Sequence, residues 1–139
     1  MLAIHRITAR VNRNGDVNDA GTPRPLLSLE EFFDGNQSAR SICVNCTPTP
    51  DTATVYRVLK EIRARKDVGD VLVQVTMFDD PEWPYSDTVW VLTTADADDV
   101  ESWFDEYMAP DECSEGWDDT EREEIDVPAA FKPVCCWWD

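Results

Sequence analysis

The sequence predicts an α+β fold of the ferredoxin-like kind, βαββαβ, with a four-stranded antiparallel sheet and two helices on one face. Three observations lead there. Residues 71–78 and 87–94 are rich in β-branched side chains, and the Pro81, Trp83, Pro84 segment between them suits an antiparallel connection. Two other segments repeat apolar residues at helical spacing: Val55, Val58, Leu59 and Ile62, then Val100, Trp103, Phe104, Tyr107 and Met108. A shorter strand candidate flanks this set at each end, at 41–46 and 131–138.

Residues 1–25 read as an N-terminal extension, flexible or a weak hairpin about Asn14-Gly15, because alternation is poor and Gly21-Thr22-Pro23-Arg24-Pro25 has linker composition. Residues 26–139 are then one α+β domain. Ser28 with Glu31 three residues on is a capping-box pattern, and Leu29, Phe32 and Phe33 follow on one side of a short helix that Gly35-Asn36 ends. Residues 41–46 form a strand candidate ended by Pro48 and Pro50. The first long helix is expected from Asp51 or Thr52 to Arg65, and the second opens at Asp96 or Asp98 and ends at Pro110. Residues 111–126 read as an acid-rich loop. Pro133 confines the last strand to an edge or to its own beginning.

The period of two along a strand divides residues 71–78 into Val71, Val73, Val75, Met77 and Leu72, Gln74, Thr76, Phe78. Val89 and Val91 likewise oppose Trp90 and Leu92. The aliphatic sets belong beneath the helices. The other face still carries Leu72, Phe78, Trp90 and Leu92, each worth roughly 1.5–3 kcal/mol when buried. Something must cover it: the extension, the short helix, the 111–130 loop, or a second copy of the chain in a homodimer through the open sheet face.

At 139 residues the chain is one domain long, and surface scaling gives roughly 7,300 Å² for its folded state. The formal charge is −17. Residues 79–126 hold nineteen acids and one base, Arg122, so nearly all the imbalance lies in one third of the chain. That argues against nucleic acid and anionic membrane as direct partners, since both favour Lys and Arg. It suits a basic protein partner instead. Five cysteines, an odd number, and no signal-like apolar stretch point to a cytoplasmic protein with reduced thiols.

The chemistry-bearing motifs are few. Cys43-x-x-Cys46 could hold zinc if Cys135 and Cys136 supplied two more ligands. Adjacent strand residues point to opposite faces, which opposes that geometry. His5 alone cannot build a nucleophilic triad from the extension. Calcium-loop spacing fails from Asp111, where position twelve is Arg122, and from Asp16, where it is Leu27. No glycine-rich phosphate loop occurs. Carboxylates alone could serve an enzyme, but a pair among 29 acids has no sequence signature.

The segments 26–36 (LLSLEEFFDGN), 83–94 (WPYSDTVWVLTT) and the terminal Trp137-Trp138-Asp139 resemble a family of small acidic bacterial proteins of unknown function. The resemblance covers about residues 26–139. It implies a bacterial cytosolic origin and brings no catalytic residue and no cofactor.

The function these readings favour is a non-enzymatic acidic interaction module for a basic protein, of which an immunity-type inhibitor of a basic toxin is one version. Tryptophans in acidic surroundings are natural anchors. The partner-binding candidates are Phe78, Glu82, Trp83, Trp90, Trp117, Asp118 and Asp119. The alternatives are structural zinc at Cys43, Cys46, Cys135 and Cys136, and a carboxylate-only enzyme.

Overall fold

In the computed structural model, which describes residues 2–139, one antiparallel sheet organises the chain. Its strands are β1 (Leu26–Ser28), β2 (Val68–Gln74), β3 (Thr88–Thr93), β4 (Glu112–Glu115) and β5 (Lys132–Trp137), in the order β1-β2-β3-β5-β4. The α+β class and the antiparallel sheet agree with the sequence. Among the described residues the strand count is five rather than four, and the order follows from two differences.

First, residues 41–46 are a turn-rich loop, not a strand. Cys43 has φ +56°, a left-handed backbone that a strand does not accommodate. The place beside β2 is taken by β1, whose Leu26 pairs with Gln74 and Leu27 with Val73. Second, the acid-rich stretch after Asp111 contains β4, which pairs with β5 from Glu112 opposite Trp137 to Glu115 opposite Val134. Its exposed, charged composition carries no period-two signal. Pro133 sits near the start of β5, as expected. The amide of Gly116 reaches the Pro133 carbonyl at 2.8 Å, so the missing Pro N–H falls where β4 has already ended.

Among the described residues, four helices pack on one face: α1 (Ala3–Val11), α2 (Leu29–Phe33), α3 (Thr52–Arg63) and α4 (Ala97–Ser102), with a 3-10 turn at Glu106–Met108. The capping box at Ser28 forms in full, Glu31 N donating to Ser28 Oγ at 3.0 Å and Ser28 N to Glu31 Oε1 at 2.9 Å. The stripe Val55, Val58, Leu59, Ile62 of α3 packs over β2 and is buried in one core with Val71, Val73, Val89, Val91 and Val134. The second long helix is shorter than its periodicity suggested. It stops at Ser102, and Phe104 and Met108 reach the core from the following turns.

Residues 3–25 join this core. Ile7, Val11 and Val17 are buried in the same cluster as Leu27 and Val73. Gly35, at φ +80°, lets α1 approach so closely that a Cβ there would lie 2.4 Å from Ala3 Cβ. Arg24 fastens the turn before β1, its guanidinium donating to the carbonyls of Val17 (2.7 Å), Asp19 (2.9 Å), Thr22 (2.7 Å) and Thr76 (3.1 Å). The accessible surface is 7345 Å², in line with the scaling expectation. Among the described residues, no helix is long and apolar enough to cross a membrane.

The opposite sheet face carries a second, small apolar cluster of Leu26, Leu72 and Trp90, with Ile125 and Cys135 packed against it. Its cover comes from within the chain, from the 111–130 region. Phe78 departs from its expected face and packs against the main core.

Candidate functional site

The cover is a strap, residues 116–126, that leaves β4 and crosses the outer face of the sheet. It turns at Gly116, whose φ of +93° faces open space. Asp118 Oδ1 accepts from the Thr120 amide at 3.0 Å, an Asx turn that shapes the next residues. The strap then meets the segment before β1. The Arg24 amide donates to Glu121 O at 2.9 Å, and the Glu123 amide to Arg24 O at 3.0 Å.

Two side-chain devices hold it. Arg122 is the only base in the acidic third, and it turns inward. Its guanidinium lies 4.9 Å from the ring centres of both Trp90 and Trp117, which are themselves 4.5 Å apart. It also pairs with Asp118 and donates from Nε to Gln74 Oε1 at 3.3 Å. The same Gln74 oxygen accepts from Trp90 Nε1 at 2.9 Å. The buried indole is thereby satisfied, and the Arg122 side chain keeps only 10% of its exposure.

Glu123 is the second device. Its carboxylate takes Arg10 Nη2 and Nη1 at 2.8 and 3.0 Å, the Leu26 amide at 2.8 Å and Asn14 Nδ2 at 2.9 Å. Burial pushes this carboxyl up, and the bonds from Arg10, Leu26 and Asn14 outweigh it, so the pKa lies below the ordinary value. Arg10 also donates to Leu26 O and Glu31 Oε2, each at 2.8 Å. Leu26 N–H and C=O would otherwise be open on an edge strand, so this network closes the β1 edge.

Outward from these anchors the strap presents Asp118, Asp119, Glu121, Glu124 and Asp126, all exposed, and Trp117 at 39% exposure. A shallow groove of about 630 Å³ runs along Trp117 and residues 121–126. The neighbouring β4 adds exposed Glu112 and Glu115, and the α4 region adds Asp98, Asp99 and Glu101.

Four of the seven residues singled out from the sequence come together here: Trp90, Trp117, Asp118 and Asp119. Trp90 does so from beneath, with no exposed surface. The other three lie elsewhere. Phe78 is half-buried, its backbone bonded to the Asn18 side chain at 2.7 and 3.1 Å. Trp83 is buried in the main core and donates from Nε1 to Phe32 O at 2.9 Å, so its ring offers nothing to a partner. Glu82 is exposed beside it. Sequence reasoning missed Arg122, Gln74, Glu123 and Arg10. A lone base among nineteen acids, and one amide in an aliphatic strand, were the available signals.

The four-cysteine zinc set does not converge. Cys136 faces the main core while Cys135 packs on the outer cluster, because neighbouring strand residues point oppositely. Burial, then the nearby Asp118 charge, pushes the Cys135 thiol up to about 12. Among the described residues, no group of three or more His, Cys, Asp or Glu is placed to hold a metal ion. The carboxyls with displaced pKa values, Glu30, Asp51, Asp67 and Glu123, are all displaced downward, whereas a general acid needs the reverse.

A family model described as the uncharacterized protein YfbO family matches residues 3–137. The chain belongs to the YfbO family. Uncharacterized protein YfbO of Escherichia coli (strain K12) is 53% identical over 140 residues, with both chains covered in full. The YfbO match begins at residue 3, so it takes in α1, which the resemblance over 26–139 had left outside. No solved structure matches the chain.

Proposed function

We propose that the chain is a non-enzymatic interaction module that receives a basic protein on the strap and the adjoining β4 edge. The observation that supports this is the sorting of charge along the strap. Its one base is turned inward against the paired indoles of Trp90 and Trp117, and its exposed acids face out around the Trp117 ring. A surface of one sign steers an oppositely charged partner, and a half-exposed tryptophan adds the apolar contact that charge alone does not supply. Inhibition of a basic toxin, as an immunity-type protein would perform it, is the finer form of this reading.

The test is capture of partners on the immobilised chain, with identification by mass spectrometry. At an ionic strength below about 0.1 M, where screening extends over ~10 Å, a basic protein is retained, and it is released as salt rises. Replacing the strap charges (Asp119→Asn, Glu121→Gln, Glu124→Gln, Asp126→Asn) abolishes retention. An equal change elsewhere (Glu61→Gln, Asp79→Asn, Asp80→Asn, Glu82→Gln) leaves it. Equal loss in both variants, or retention of no basic protein, contradicts the proposal.

A further inference from the structure

The antiparallel register of β4 and β5 sets Cys113 directly opposite Cys136. The Gly116 to Pro133 hydrogen bond fixes the parity of that ladder. Ser114 with Cys135, and Glu112 with Trp137, are then the hydrogen-bonded pairs, and Cys113 with Cys136 is a non-hydrogen-bonded pair. Such pairs bring Cα atoms to about 4.5 Å, within the ~4.4–6.8 Å that a disulfide spans. The two sulfurs are 3.9 Å apart, and both thiols are free. Cys136 is fully buried in the main core, and Cys113 packs on that core while remaining partly exposed.

We infer that Cys113 and Cys136 form a dithiol site that a small-molecule disulfide oxidises to a reversible cross-strand disulfide. Cys113 is the sulfur a reagent can reach. Its thiolate attacks one sulfur of oxidised glutathione and expels a glutathione thiolate. Cys136 then loses its proton and attacks Cys113 Sγ, expelling the second glutathione. Two protein thiols become one disulfide while one glutathione disulfide becomes two thiols. Contact with Cys113 and burial both push the Cys136 thiol well above its ordinary value, which assigns it the second step. Cys135 lies on the other face, opposite Ser114, and does not compete. The loop closed by the bond contains the whole strap, so oxidation fastens the strap's root to β5. This inference is independent of the partner proposal.

The test treats the full chain with oxidised glutathione, alkylates the remaining thiols, and maps tryptic peptides. A linked pair, residues 67–122 joined to 123–139, is expected, reversed by dithiothreitol. Two of the five thiols are lost in that step. Cys135→Ser keeps the link, which then can only involve Cys136. Cys113→Ser, at a partly exposed site, abolishes it with the circular dichroism unchanged. A glutathione adduct that stays on Cys113, or a link that disappears in Cys135→Ser, overturns the inference.

Discussion

Replacing Arg122 by Ala removes the grip of the strap while leaving every strand in place. The guanidinium lies 4.9 Å from each of two indole centres and is 10% exposed. Cation–π contacts range from about 0.5–1 kcal/mol in water to about 2 when desolvated. The Asp118 partner is half exposed at 51%, so that ion pair adds no more than about 0.2–1 kcal/mol. Gln74 Oε1 keeps its bond from Trp90, so no acceptor is orphaned. These terms share one side chain and are not additive, and a loss of about 2–3 kcal/mol is expected. Arg57→Ala is the control. Arg57 pairs with Glu61 on the surface of α3 at 58% and 65% exposure, and its loss should cost about 0.3 kcal/mol. Urea unfolding followed by circular dichroism gives both values. Acrylamide quenching of tryptophan fluorescence should rise in Arg122→Ala alone. The difference should persist in high salt, because the partly buried contacts are weakly screened. A loss below about 0.5 kcal/mol, matching the control, would refute the contact of Arg122 with the two indoles as the strap's anchor.

Other variants probe separate parts of the fold. Arg10→Ala leaves Glu123, itself 16% exposed, without its cation and opens the β1 edge; about 2–3 kcal/mol should be lost in urea unfolding, and a value under about 1 contradicts the network. Gly35→Ala forces a side chain into the left-handed region and onto Ala3, so a drop of about 2 kcal/mol with faster amide exchange across α1 is expected; unchanged exchange in α1 contradicts its docking. The hydrogen bond from Arg63 holds the Glu30 carboxyl down at about 2, below its unfolded value near 4.3. A lowered folded value means this contribution is complete above about pH 4.5 and is lost as pH falls toward 2, by at most about 1 kcal/mol because Glu30 is half exposed. Unfolding measured at about pH 5 and about pH 3 should show about half of that loss, and Arg63→Ala should show less of it; identical pH dependence in the two proteins contradicts the pairing.

How much of this was legible follows from where each signal lives. β2, β3 and α3 were readable because their apolar residues repeat at one period over two turns or six residues, and Val71, Val73, Val89 and Val91 lie under the helices as that period requires. The capping box was readable because it is a purely local contract between Ser28 and Glu31. β4 was not, since Glu112, Ser114 and Glu115 are exposed and only Cys113 packs on the core, so pairing with the distant β5 decides it. α1 was not, because its helicity rests on burying Ile7 and Val11 in a core assembled from distant segments. The need for a cover over Trp90 was legible from alternation alone. That Arg122 supplies its fastening depends on Gln74 and Trp117, far apart in the chain, and no spacing rule joins them.

Amide hydrogen exchange at Arg24 and Glu123 tests most directly whether the acidic segment is a fixed cover rather than a loose loop. Both amides donate to the facing backbone, at 2.9 and 3.0 Å. Protection comparable to the β1–β2 ladder is predicted at both positions. Exchange at free-peptide rates there, with the β2–β3 amides still protected, would contradict a strap held on the sheet and the acidic surface built upon it.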